Sequence, residues 1–457
     1  MSTESTTQAL VRFSTHFDFG ALPSEVVRQT KTIVLDMFGA MLAASAPQYS
    51  AGRITSDFAK ALGGPAEATI VGRDFKTSCL GAAIANGTLG YACDIEPYYK
   101  GAVMHPPASV LPAAMAVAER EHKSGKDFIA SVVLGIDVAC RASLAINPVA
   151  MYERTFHPSA VAGAFGATAA AGNLLGIDEG QFSNAFGLAA TQASGLLAFG
   201  SDETENSRPF NCGIAARNGV TAAMLASMGF GGPQRILDGD AKYNIYRAFS
   251  KEGQPEKFTD RLGEHFYIME HSIKLYACCG FLHTGLDGLL DIMENESLLA
   301  EDVTEIVLRF AKTGAAMIDN NPLKSHCAQY VLPLAAVNRK VLPGDVLLER
   351  NPDARIDRLS GCTSMEYDDE LEKTFPTLHT AIVHVAVTDG RRFTRKVEWA
   401  RGMPQNPCSE DELLRKFMWL AGTVVSEDRA REIVDIVGRL EEIQDIGQLA
   451  GLLQVRA

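Results

Sequence analysis

His157-Pro-Ser-Ala-Val-Ala-Gly-Ala-Phe-Gly-Ala-Thr-Ala-Ala-Ala-Gly-Asn-Leu-Leu175 is the stretch from which the fold is read. Pro is favoured at the first position of a helix. The apolar run Ala160 to Leu175 that follows it is almost free of large side chains. Small residues let helix axes approach closely, so this is one helix of a tightly packed bundle. Two other segments share the design: His105-Pro106-Pro107 and Arg208-Pro209-Phe210 also put a polar or charged residue before Pro and then enter Ala/Gly-rich stretches. His105, His157 and Arg208 are thus expected at or before helix N-termini, where free backbone N–H groups and the helix dipole favour anions. Three such ends meeting in one cleft would hold a carboxylate-rich ligand. The same field disfavours imidazolium and keeps each His neutral and able to accept a proton.

Outward from this stretch the helical pattern runs from Pro23 to about Phe249. Val26, Val27, Ile33, Val34, Met37, Phe38, Met41 and Leu42 recur at helical spacing, and Val110 to Val117, Phe128 to Ala145, Phe182 to Leu197 and Ala215 to Met228 are further apolar runs. Gly229-Phe-Gly-Gly-Pro233 reads as a stop. After about Glu264 the character changes. Val303 to Phe310 alternates and is β-branched, and Thr380 to Val387 and Arg392 to Trp399 flank Asp389-Gly390, a hairpin signal. Helical Gly280 to Met293 lies among these strands. Ser409-Glu-Asp-Glu412 opens a further helix, with Ser426 to Ile443 and Gly447 to Leu453 after it. The expected fold is mainly α: a discontinuous all-helical domain built from residues 1–267 and 405–457, plus a smaller α+β domain over 268–404.

The 457 residues are 47% hydrophobic, enough for a large core, and carry 42 Lys+Arg against 55 Asp+Glu, a net charge of −13. That balance argues against a nucleic-acid partner, while a local basic pocket for an anionic substrate remains compatible with it. Met1 to Gln8 is Ser/Thr-rich without a basic start or apolar run, and no uncharged apolar stretch reaches about 18 residues. No export signal or membrane span is therefore expected, and the nine scattered Cys are expected as reduced thiols of a cytoplasmic protein.

The side chains that could carry chemistry are few. Asp94, in Tyr91-Ala-Cys-Asp-Ile-Glu-Pro-Tyr98, stands eleven positions before His105 and could orient it; a surface loop of solvated carboxylates fits the spacing equally. His105 and His157 are the candidates for base and acid, in either order, although a His at a helix start is often a structural cap. Arg208 offers a two-pronged guanidinium to a carboxylate, with Asn211 beside it, or else a surface salt bridge. Lys274, in His271-Ser-Ile-Lys-Leu-Tyr-Ala-Cys-Cys279, falls at the expected domain junction, where ligand clefts are common, and could pair with a second carboxylate. Tyr276 and His283 could line such a site, and Tyr330 could donate a hydrogen bond or act as acid, or simply be half-buried in a helix. Adjacent Cys278-Cys279 is a poor zinc signature. GxGxxG, GxxxxGK[ST], HExxH, GxSxG and EF-hand patterns are all missing. No metal, nucleotide or flavin is expected. Side-chain acid–base catalysis beside a carboxylate is what remains: elimination, decarboxylation or epimerisation.

On these residues the chain resembles the MmgE/PrpD family over nearly its whole length. The resemblance is carried by Ala85-Asn86-Gly87 leading into Asp94, His105-Pro106 with Val110-Leu-Pro-Ala113, Phe156-His157 with Phe165 to Gly172, Gly213-Ile-Ala-Ala-Arg-Asn-Gly219, Ile273-Lys274 to Cys279 with His283, and Gln329-Tyr330. It implies a large helical domain from both chain ends plus a smaller α+β domain, a homodimer that needs no metal, and dehydratase, decarboxylase or epimerase activity on a di- or tricarboxylate. It places Asp94, His105, His157, Lys274 and Tyr330 at matching site positions, with Arg208 where the decarboxylase has Lys and Asn211 where it has His. Family members commonly read Asp-aromatic-Asp-Asp-Thr where this chain has Asp94-Ile-Glu-Pro-Tyr98, which bears on the substrate and brings Tyr98 into the candidate binding set. The leading expectation is a cofactor-independent lyase. An epimerase of an iminodisuccinate-like dicarboxylate using the same site is the alternative, and a non-catalytic helical binding protein the third.

Overall fold

The computed structural model describes residues 4–375 and 377–455 of the chain. They form two compact units: Met1–Ala92, Glu96–His271 and Glu410–Ala457 make the first, and Cys93–Ile95 with Ser272–Ser409 the second. The first is helical and the second mixed, so the protein is mainly α with a smaller α+β part.

The first unit is built around the Pro158–Leu175 helix, in which Pro158 to Gly172 and Leu174 are all buried. His157 is its N-cap and Pro158 its first residue. Close packing follows from the small side chains. A Cβ on Gly166 would lie 2.5 Å from the Gly135 carbonyl oxygen, and one on Gly213 would lie 2.4 Å from Thr88 Oγ1. Two helix crossings are therefore possible only because these residues carry no side chain. The Gly125–Ile146 helix is apolar and long enough to cross a membrane by composition alone, yet it lies packed within this unit. Its buried Arg141 bonds Asp137 at 2.6 Å and the carbonyls of Asp260 and His265, which pins the irregular 258–267 segment.

The C-terminal helices belong to this unit. Glu410–Ala421 lies on Ser24–Ala44, where Lys416 Nζ meets Asp36 Oδ1 at 2.6 Å with both side chains almost fully buried. Burial pushes the Asp36 carboxyl up to about 6 despite Lys416.

In the second unit a four-stranded sheet runs in the order Thr363–Asp368, Val303–Ala311, Ala381–Val387, Arg392–Val397. The last two strands form the hairpin signalled by Asp389-Gly390, with Ala381 opposite Val397 and Ala386 opposite Arg392. Thr363–Asp368 pairs in parallel with Val303–Ala311. Its sequence, Thr-Ser-Met-Glu-Tyr-Asp, is too polar to announce a strand. The register with Ile306 to Ala311 supplies what the side chains do not.

One helix start differs from expectation. The helix containing Arg208 begins at Ser207, so Arg208 and Pro209 sit inside the first turn rather than before it. Asp202 takes the Ser207 N–H at 2.8 Å and its hydroxyl at 2.6 Å, extending the helix upstream. Pro209 does no harm there, because the first four N–H groups have no intrahelical partner.

Candidate active site

In the first unit the anion-seeking side chains gather on one aromatic ring. Tyr91 ends the Cys79–Ala92 helix and is buried. The His105 ring lies 4.6 Å from it, His157 stacks at 6.0 Å with a 16° interplanar angle, and the Arg208 guanidinium sits over its face at 4.6 Å. Arg208 is 2% exposed, so this is a buried cation against a π face rather than a surface ion pair. The three Pro-flanked segments do bring their polar residues together.

His105 is positioned from both sides. Tyr99 and Met104 exchange backbone hydrogen bonds, which folds 99–104 into a tight loop, and the His105 N–H donates to Ser159 Oγ at 3.0 Å in the first turn of the central helix. Tyr98, buried, packs its ring 5.8 Å from His105. His105 Nδ1 faces Glu96 Oε1 at 2.8 Å, and the Glu96 side chain is fully buried. Glu96 thus holds the place beside His105 that the spacing had suggested for Asp94. The sequence does not separate the two acids, because Asp94 and Glu96 lie two residues apart with chemically equivalent side chains.

His157 is 1% exposed. Burial first, then the neighbouring His105 and Arg208, push its imidazole down to about 3, so it is neutral at ordinary pH. Its Nδ1 lies 3.3 Å from Asn211 Nδ2, and Phe199 closes on the ring edge-on at 5.1 Å. Asn211 Nδ2 also donates to the Leu196 carbonyl at 3.3 Å.

The second unit holds a separate pair. Lys274 Nζ contacts Asp94 Oδ1 at 2.5 Å and the Asp94 carbonyl oxygen at 3.2 Å, with both side chains buried. Asp94 has φ +51°, in the left-handed region where Asp is tolerated better than most residues. Lys274 grips both ends of that strained residue. Tyr276 donates to Asp287 at 2.7 Å, and its ring meets His283 edge-on at 5.3 Å. Asp287 also accepts the Arg401 N–H at 2.6 Å, and burial raises its carboxyl above the ordinary range.

Tyr330 is buried, but its hydroxyl donates to the Asp345 carbonyl at 2.8 Å and accepts from the Asn351 N–H at 3.3 Å, with Arg350 over the ring at 5.0 Å. It is built into the 345–351 segment. Among the described residues no group of three His, Cys, Asp or Glu is placed to hold a metal ion. The residues missed in the sequence were Tyr91 and Glu96. A buried aromatic at a helix end next to two acids was the available signal.

These features define a two-unit, mainly helical protein whose first unit sets a carboxylate-backed histidine, a neutral histidine and a buried guanidinium around one tyrosine. The chain belongs to the MmgE/PrpD family: the family's N-terminal domain matches residues 8–257 and its C-terminal domain residues 276–442. Among relatives, the cis-aconitate decarboxylase of Aspergillus terreus is 25% identical, over 94% of this chain and 92% of its own length. A cis-aconitate decarboxylase-like protein of Aspergillus oryzae is 26% identical over 98% and 97%. The human cis-aconitate decarboxylase is 25% identical over 95% and 92%.

Proposed function

We propose that the protein is a cofactor-independent lyase that removes a proton next to a carboxylate of a di- or tricarboxylate. The observation that carries this is the Glu96–His105 pair at 2.8 Å, set with His157 and Arg208 about the Tyr91 ring. His105 takes the α-proton. Arg208 binds a substrate carboxylate, and its fixed positive charge stabilises the negative charge that develops as the proton leaves. Each positioned proton transfer contributes on the order of 10²–10⁴-fold in rate. In a dehydration the C–H pair becomes the new C=C bond, and the hydroxide that leaves takes the proton from His105 as water. In a decarboxylation the C–C pair moves into the carbon framework as CO2 leaves, and a protonated His105 instead gives its proton to the product carbon. The relatives named cis-aconitate decarboxylase favour the latter. Lys274 and Asp94 enter on their buried contact at 2.5 Å and on the resemblance of their positions, as a second cation for a substrate carboxylate and the acid that holds it. Tyr276 and Asn211 enter as binding residues, Tyr98 as a wall against His105, and Tyr330 as a positioning residue. On the same reading the protein is a cytoplasmic homodimer.

A second reading is supported by the two imidazoles meeting one tyrosine ring. Groups addressing opposite faces of one carbon would epimerise a substrate such as iminodisuccinate without elimination. Proton NMR in D2O with 2-methylcitrate, citrate, cis-aconitate and iminodisuccinate separates the two. New alkene or decarboxylated signals support the lyase, and deuterium uptake with intact connectivity supports the epimerase. Failure to turn over any di- or tricarboxylate, with binding retained, would leave a binding protein.

A further inference from the structure

His105 and His157 are held at Nδ1 by chemically opposite partners. Glu96 Oε1 lies 2.8 Å from His105 Nδ1. A carboxylate there can only accept, so an ionised Glu96 requires the His105 proton on Nδ1 and leaves Nε2 bare. The partner of His157 is the amide of Asn211. The orientation of that amide is fixed independently, because its Nδ2 lies 3.3 Å from the Leu196 carbonyl oxygen, which has no proton to give. Turning the amide over would set two oxygens against each other. One Nδ2 proton therefore goes to Leu196 and the other to His157 Nδ1 at 3.3 Å. A neutral imidazole carries one N–H, so His157 carries it on Nε2.

We propose that the two histidines are not interchangeable: His105 is the proton carrier of the site, and His157 is a hydrogen-bond donor through Nε2–H that keeps its proton, with Asn211 the positioning residue that sets the difference. The burial of His157, with His105 and Arg208 as its charged or chargeable neighbours, holds it neutral, as this role requires. A neutral imidazole aimed at a carboxylate oxygen stabilises the negative charge that builds there as the α-proton leaves. In chemical terms His105 Nε2 forms a bond to the proton, the C–H pair moves into the carbon framework, and Nε2–H of His157 stays intact. The role of each histidine in turnover rests on the proposed lyase reading; the tautomers do not.

The test is long-range 1H–15N correlation of the full-length protein labelled with 15N-histidine, without substrate. His105 and His157 are assigned among the ten histidines by their loss in His105→Gln and His157→Gln. The expected wild-type spectrum shows His157 protonated at Nε2 only, unchanged from pH 8 to pH 5, and His105 protonated at Nδ1. Asn211→Asp is expected to move the His157 proton to Nδ1 or add one there, which a loss of packing alone would not do. His157 protonated at Nδ1 in the wild type, or gaining a second proton above pH 5, would overturn the proposal, and the wild-type spectrum decides this even if a variant fails to fold. With a substrate in hand, His105→Gln is expected to lose α-proton exchange by about 10²–10⁴-fold. His157→Gln, whose amide keeps a donor near the Nε2 position, is expected to lose less, and the reverse order also overturns the division. The expected spectrum combined with no turnover of any acid would sink the lyase reading and leave the tautomers standing.

Discussion

Replacing Glu96 by Gln tests the site with little change in shape. Gln keeps an oxygen that can accept from His105 Nδ1, so the 2.8 Å contact can persist while the negative charge is lost. When His105 takes a proton it becomes a cation facing that carboxylate. Two unit charges about 4 Å apart attract by roughly 4 kcal/mol at an effective dielectric of about 20. If the proton is about half transferred at the top of the barrier, about half of that, roughly 2 kcal/mol, is lost, which is a fall of about 30-fold in kcat/KM. Complete transfer would bring the loss nearer 10³-fold. Glu96→Ala should be worse, because it also leaves a buried N–H unpaired at a cost of about 1–3 kcal/mol. The assay is initial-rate kinetics on the acid that the NMR panel identifies, with thermal melting to confirm that each variant folds. A folded Glu96→Gln within about threefold of wild type would refute the carboxylate-backed histidine.

Lys274→Ala should abolish turnover and, by stranding the buried Asp94, also cost about 3–5 kcal/mol of stability, so thermal melting accompanies the assay; retained activity on the identified substrate would remove Lys274 from the site. His157 makes the protein acid-sensitive. Its folded value is about 3 against an ordinary 6.5, so between those pH values the unfolded chain binds the extra proton and stability falls as pH drops. His157→Gln should therefore flatten the acid limb by about 1.4 kcal/mol per pH unit below 6.5, read as the difference between wild-type and variant denaturant titrations from pH 7 to pH 5. Lys416→Met strands the buried Asp36 and should cost about 3–5 kcal/mol above pH 6. Towards lower pH the cost should shrink, because Asp36, already raised to about 6 by burial with Lys416 present, is raised further without it and takes a proton more readily. A cost independent of pH would refute that reading. Gly166→Ala should destabilise by about 1–3 kcal/mol, since its methyl would meet Gly135 O at 2.5 Å and Ala139 Cβ at 2.6 Å, and an unchanged melting point would show that the crossing can open.

The parts of the fold legible in the sequence are those where side-chain pattern and backbone agree. The central helix, the Asp389-Gly390 hairpin and the Ser426 cap, whose hydroxyl accepts from the Arg429 N–H, are of this kind. The Thr363–Asp368 strand was not, because its pairing partner rather than its own residues makes it a strand. The start of the Arg208 helix was misplaced for a related reason: Asp202 caps Ser207 from five residues away, outside the one-turn window in which capping patterns are read.

The site shows the same division more sharply. His105, His157 and Arg208 could be found because helix starts bind anions whatever surrounds them. Which carboxylate serves which base could not, because Asp94 and Glu96 differ only by one methylene and two positions. What separates them is backbone geometry. Asp94 adopts the left-handed conformation and gives its carboxylate and carbonyl to Lys274, and the chain that leaves it carries Glu96 to His105 instead. One short segment thus supplies the acid for both a lysine and a histidine. A change in the Asp94 backbone is therefore expected to disturb Glu96 as well. Asp94→Asn, which keeps the size and tolerates positive φ, should leave the Glu96–His105 contact in place, whereas Asp94→Val, for which that φ is strained by roughly 1–3 kcal/mol, should not. If the His105 tautomer in 15N spectra is the same in both variants, the two acids are positioned independently and this coupling is wrong.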